Sequence, residues 1–158
     1  MCSSDLWHSP LCEYLTLDVL FVCRANLGRS QMAQAMFNRL SKHQSTSAGT
    51  MVLEMDGQTV AERAEVAPSV VLVLELMSEE EDQDLSSEQR TQLTPELVDA
   101  ADKVIVMAER ETWPDYLVES GKVEFWDIED AFNIPIDAVR AIKDQIKVRV
   151  EELVRETG

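Results

Sequence analysis

The spacing of hydrophobic positions changes several times along the chain. Residues 17–22, LDVLFV, form a short apolar run rich in β-branched and aromatic side chains, which predicts a buried strand. From Ser30 the period lengthens: Ala33, Met36, Phe37 and Leu40 recur at i, i+3, i+4 and i+7, one face of a helix. STSAG at 45–49 predicts a second strand closed by a glycine. Residues 65–77 contain SVVLVLEL, which alone fits a strand, but the segment's length, Pro68 near its start and its polar end predict a helix. The acidic run SEEEDQD at 78–84 reads as a solvated helix end and loop without a functional role. Thr94-Pro95-Glu96 opens a short helix, with Thr94 as N-cap and Pro95 in the first turn. KVIVMA at 103–108 and KVEFW at 122–126 predict the third and fourth strands. Val139, Ile142, Ile146, Val150 and Leu153 mark a long amphipathic helix. Strands alternating with helices imply an α/β chain whose parallel sheet is covered on both faces.

Length and composition narrow this picture. With 158 residues, 45% of them hydrophobic, the chain is long enough for one domain with a substantial core. Fourteen basic against 30 acidic residues give a net charge of −16, which argues against nucleic acid as a partner because phosphate backbones require a basic face. No apolar run is long enough to span a membrane, so no membrane partner is expected either. The three cysteines, Cys2, Cys12 and Cys23, make a poor disulfide framework and suit a reducing, cytoplasmic location. With two histidines far apart in sequence and no Cys-x-x-Cys pair, ligands for a metal are few, and no metal is expected. Residues 1–14 lack the basic and apolar regions of a signal peptide and read as a disordered or artefactual tail; residues 15–158 read as a single domain.

The chemistry concentrates in CRANLGRS at 23–30. Cys23 and Arg29 are five residues apart with Ser30 next, a C-x5-R-S loop whose cysteine ends a strand and whose arginine starts a helix. At such a junction loop amides turn inward and the helix dipole adds positive potential, a cradle for a tetrahedral dianion. Arg29 can grip two oxygens of that anion with its planar fork, placing Cys23 beneath the central atom. The same field favours the thiolate, the nucleophilic form of a cysteine. Ser30 is placed to donate to that sulfur, and Asn26 suits a left-handed turn position from which it can brace the loop. The bland alternative, a buried cysteine at a strand end, does not account for Asn26, Gly28, Arg29 and Ser30 falling in register.

CRANLGRS resembles the phosphate loop of the low-molecular-weight protein tyrosine phosphatases, a family related to the thioredoxin-linked arsenate reductases. STSAGT at 45–50 looks like the family's second strand, QLTPELVDAADKVIVMA at 92–108 like its third strand with the preceding helix, and FWDIEDA at 125–131 like its acid loop. The likeness extends over roughly residues 17–154. It implies a three-layer flavodoxin-like fold with a four-stranded parallel sheet in the order 2-1-3-4, and a site at the carboxyl end of the first strand. It also implies hydrolysis of phosphomonoesters, above all protein phosphotyrosine, through a cysteinyl-phosphate, without cofactor or metal and with inorganic phosphate as product. The implied catalytic residues are Cys23, Arg29 and Asp130; Arg24, Ala25, Asn26, Leu27, Gly28, Ser30 and Phe132 would meet the substrate. Two departures stand out. Gly28 occupies a position where the family often has a second cysteine, and Ala131 follows Asp130 where a proline is usual. Asp127 and Glu129 therefore compete with Asp130 for the acid's role. Leu27 stands where a bulky aliphatic accompanies phosphotyrosine specificity in the family and a threonine accompanies phosphoarginine. An arsenate reductase using an external thiol and a non-catalytic phosphate-binding module are the rival readings. No cysteine lies between Arg24 and Gly158, so a relay of three thiols within the fold is impossible.

Overall fold

The computed structural model describes residues 16–158, so the expected tail at 1–14 lies outside the described residues. Four parallel strands form one sheet in the order β2-β1-β3-β4: β1 (Asp18–Cys23), β2 (Gln44–Gly49), β3 (Lys103–Val106) and β4 (Val123–Phe125). The helices are α1 (Arg29–Leu40), α2 (Val60–Ala64), α3 (Pro68–Glu81), α4 (Pro95–Ala100), α5 (Asp115–Val118) and α6 (Ile136–Thr157). The order 2-1-3-4 is the one the resemblance implies, and each strand boundary lies within two residues of the sequence reading.

Period-two alternation along β1 divides the core between the two faces. Val19, Phe21 and Cys23 point into one cluster with residues of α1, α3 and α6, including Phe37, Val73 and Ile146. Leu20 and Val22 point the other way, against Val98 of α4 and Leu117 of α5. Both faces of β1 are buried and β2 and β3 flank its edges, so its sequence shows a continuous apolar run rather than alternation. All five periodic residues of the last helix, Val139 to Leu153, are buried on α6. Thr94 caps α4 by accepting from the Leu97 N–H at 3.3 Å.

Three local readings gain detail or change. The helix expected over 65–77 forms, but shifted to 68–81: Ala67 is extended ahead of Pro68, which occupies the first turn. Leu40 is not a core residue; α1 ends there and the side chain is 48% exposed. The acidic run is not uniformly solvated. Glu81 is buried, bound by Lys143 at 2.8 Å and Lys147 at 2.9 Å from α6. Among the described residues no helix is long and apolar enough to cross a membrane.

Candidate functional site

The carboxyl end of β1 delivers Cys23 to a loop of five residues that turns into α1. Its backbone is folded so that four successive carbonyls face outward. Cys23 O accepts from Thr50 N at 2.9 Å, Arg24 O from Met51 N at 2.8 Å, Ala25 O from Arg90 Nε at 3.0 Å, and Asn26 O from Gln31 Nε2 at 3.3 Å. With the carbonyls committed, the N–H of Asn26 donates to Cys23 Sγ at 3.2 Å, and the N–H groups of Ala25, Leu27 and Gly28 have no acceptor among the described residues. Gly28 is the N-cap of α1, without a side-chain cap and without an acidic residue in the first turn, so the positive end of the helix stays open to an anion.

Asn26 holds this shape. Its φ is 55°, in the left-handed region that asparagine tolerates better than most side chains. Its Nδ2 donates to Ser30 Oγ at 2.8 Å and Ser47 Oγ at 3.0 Å, and its Oδ1 accepts from Thr91 N at 2.8 Å. Ser30 Oγ also lies 3.0 Å from Cys23 Sγ. The loop thereby binds to β2 through Ser47 and to the segment before α4 through Thr91.

Arg29 is a buried arginine, 2% exposed, and its environment fixes the plane of its guanidinium. Nη1 donates to Met107 O at 2.5 Å, Glu109 Oε2 at 2.9 Å and Ile128 O at 2.9 Å; Nη2 lies 3.9 Å from Asp130 Oδ2. Nε is buried and has no partner among the described residues. Burial alone would lower the pKa of this group. The charge of Cys23, the hydrogen bond to Glu109 and the charge of Asp130 outweigh it and hold the arginine above its ordinary value.

The expected site residues fall mostly around one cleft. Cys23, Ala25, Leu27, Gly28, Arg29, Asp130 and Phe132 line a cavity of about 70 Å³. Asn26 and Ser30 lie beneath it, fully buried, while Arg24 is exposed on the outer side of the loop. Of the three competing carboxylates, Asp130 alone is among the residues lining the cleft; Asp127 and Glu129 are exposed. Leu27 lines the cleft half-buried, and Phe132 stands 68% exposed at its rim. Sequence reasoning missed Glu109, which binds Arg29, Arg90, which binds the loop carbonyl of Ala25, and Ser69, Val70 and Val73 of α3, which complete the wall. Nothing near Cys23 in sequence points to them; they are 40 or more positions away. Among the described residues no group of three or more His, Cys, Asp or Glu is placed to hold a metal ion.

Comparison with known proteins agrees with this fold. The family model described as low molecular weight phosphotyrosine protein phosphatase matches residues 18–157. A solved low molecular weight protein tyrosine phosphatase from T. tengcongensis superposes with a TM-score of 0.70 at 23% identity, covering 89% of this chain and 99% of that one. The arginine phosphatase YwlE from Geobacillus stearothermophilus superposes with a TM-score of 0.66 at 24% identity, covering 89% and 92%. An arsenate reductase solved in a phosphate-binding state gives 0.71 at 27% identity, covering 90% and 100%.

Proposed function

The chain belongs to the low molecular weight phosphotyrosine protein phosphatase family, and from that premise we propose that it hydrolyses phosphomonoesters, above all phosphotyrosine in proteins, through a cysteinyl-phosphate on Cys23. The observation that carries this reading is the donor set around the sulfur: loop amides without acceptors and the buried, unpartnered Nε of Arg29. A buried N–H left without a partner is costly, and a tetrahedral oxyanion above Cys23 supplies the missing acceptors.

The Cys23 thiolate attacks phosphorus, forming the S–P bond as the bond to the leaving oxygen breaks. Arg29 and the loop amides hold the non-bridging oxygens as their charge redistributes. Asp130, protonated, gives its proton to the leaving oxygen; as a carboxylate it then takes one from the water that cleaves the S–P bond and releases phosphate. The reaction needs no metal and no organic cofactor. Leu27 offers an apolar flank to a phenyl ring and no hydrogen bond to a guanidinium, and Phe132 supplies an opposing edge, which favours phosphotyrosine over phosphoarginine, phosphoserine and phosphothreonine. Arsenate reduction lacks support of this kind: a thiol relay would have to recruit Cys2 or Cys12 or an external thiol.

Purified protein should turn over p-nitrophenyl phosphate unaffected by chelator. Cys23→Ser should abolish turnover yet keep vanadate binding, and Arg29→Lys should be severely impaired in both. Full activity in Cys23→Ser would end the reading. Leu27→Thr should erode the preference for phosphotyrosine peptides; faster hydrolysis of phosphoarginine by the unaltered protein would reverse the substrate assignment.

A further inference from the structure

Beside the small cleft lies a much larger concavity of about 810 Å³, walled chiefly by Val66, Pro68, Val71, Leu72, Ile134 and Pro135. Glu65 is the single charged residue in its lining, in a chain of net charge −16. The groove adjoins the cleft. Ser69 lines both, and the Asn133 N–H donates to Ser69 Oγ at 2.9 Å, so this pair forms the ridge between them. Exposed side chains flank the ridge: Val66 at 72% and Phe132 at 68%. The groove exists because the first turns of α3, Val70 to Leu74, are apolar on every side. Val70, Val73, Leu76 and Met77 face the core, while Val71 and Leu72 are left half-buried on the groove side.

We propose that this groove receives apolar residues flanking the phosphorylated residue of a protein substrate, whose main chain crosses the Ser69–Asn133 ridge. The inference rests on the phosphatase reading above. Its occupant follows from continuity and charge. A peptide with its phosphorylated side chain in the cleft must leave across the rim, and in extended form it advances about 3.3 Å per residue, so its next few side chains reach the groove on that side. Those side chains meet an apolar wall with one carboxylate, which favours aliphatic residues and disfavours acidic ones. The cleft then selects the phosphorylated residue and the groove selects the sequence around it.

The test uses the full chain, p-nitrophenyl phosphate and phosphotyrosine peptides that differ only in three residues on one side or the other of the phosphotyrosine: Leu-Val-Leu, Ser-Gly-Ser or Glu-Gly-Glu. The aliphatic flank should raise kcat/KM about tenfold over Ser-Gly-Ser on one side only, mainly through KM. Val66→Asp should remove that advantage and leave p-nitrophenyl phosphate turnover unchanged; Val66→Asn, which adds no charge, should reduce it. Normal p-nitrophenyl phosphate turnover with a flat peptide panel would overturn the groove assignment alone, as would an aliphatic preference that survives Val66→Asp. A concentration-dependent dimer that Val66→Asp dissolves, with a flat panel, would give the groove to a second copy of the chain instead. Absence of p-nitrophenyl phosphate turnover would overturn the phosphatase reading and this inference with it.

Discussion

Asn26 shows how much of the site depends on single side chains. It combines a left-handed backbone with four side-chain hydrogen bonds in a fully buried position. Asn26→Ala keeps the backbone demand and strips the partners from Thr91 N–H, Ser30 and Ser47. It should cost about 2–4 kcal/mol, read as a lowered Tm, with kcat falling as the loop loosens. Asp130→Ala should slow both formation and breakdown of the cysteinyl-phosphate, by about 10²–10⁴-fold. Asp127→Ala and Glu129→Ala should stay near the parent rate; the reverse pattern would show that another carboxylate is the acid. Glu109 holds Arg29 at 2.9 Å and is not among the residues lining the cleft. Glu109→Ala should lower kcat by up to about 10²-fold through a misplaced guanidinium, and Glu109→Gln, which keeps an acceptor, should recover much of that.

Between elements, the end of β2 sets the outer limit of the loop. A Cβ on Gly49 would lie 2.7 Å from Arg24 O and 2.9 Å from Asn26 N, both backbone atoms of the loop that follows β1. Gly49→Ala should therefore push the loop out of shape, costing about 1–3 kcal/mol and lowering kcat/KM for p-nitrophenyl phosphate. On the opposite side, α3 is fastened to α6 by a charged cluster. Lys143 lies 2.8 Å from both Glu80 and Glu81 and 3.0 Å from Asp144, and Arg140 binds Glu80 at 2.7 Å. Hydrogen bonds from Lys143 and Arg140 hold Glu80 below the ordinary carboxylate value of 4.5. Burial would raise Glu81, but Lys143 and Lys147 outweigh it and hold it below 4.5 as well. Burial would lower Lys143, but its three carboxylate partners raise it instead. The depressed carboxylates contribute stability that is fully present above pH 4.5 and lost as pH falls through their folded values, since the unfolded chain takes up protons first. Urea midpoints should fall steeply on acidification below that pH. Lys143→Ala, which leaves Glu81 buried with one partner, should cost about 3 kcal/mol at neutral pH and flatten the acid dependence.

Across the whole molecule, the candidate cleft sits at the carboxyl edge of a parallel sheet, where open α/β sheets bind their ligands, within a chain of net charge −16. In the proposed reading, the local field of the loop attracts a phosphate dianion while the field of the whole chain repels it. Beyond about 10 Å at ordinary salt only the long-range term is screened. Raising ionic strength from low values should therefore increase kcat/KM, most for acidic phosphopeptides and least for p-nitrophenyl phosphate. A marked fall would mean that a local positive funnel around Arg24 governs encounter.

Each feature legible in the sequence is carried by neighbours along the chain. A strand buried on both faces must be continuously apolar, an amphipathic helix must repeat at 3.6, and a loop that joins them must supply Asn26, Gly28, Arg29 and Ser30 within one turn. Hence β1, α1, α6 and the C-x5-R-S loop could be read from residues alone, and resemblance added the strand order and Asp130. SVVLVLEL by itself fits strand or helix because the first turns of α3 are apolar on every side, which removes the periodicity that separates the two; only its length, Pro68 and polar end favoured the helix. Only the tertiary structure decided the rest. Glu109 reaches Arg29 across 80 residues, Lys143 reaches Glu81 across 62, and Asn133 meets Ser69 across 64. Contacts at such separations leave no periodic trace, because they depend on how strands and helices are stacked rather than on their order along the chain. The sequence thus determined which residues could perform chemistry at the end of β1; the packing of α3, β3 and the loop after β4 around them decided which carboxylate faces the cleft and what surface lies beside it.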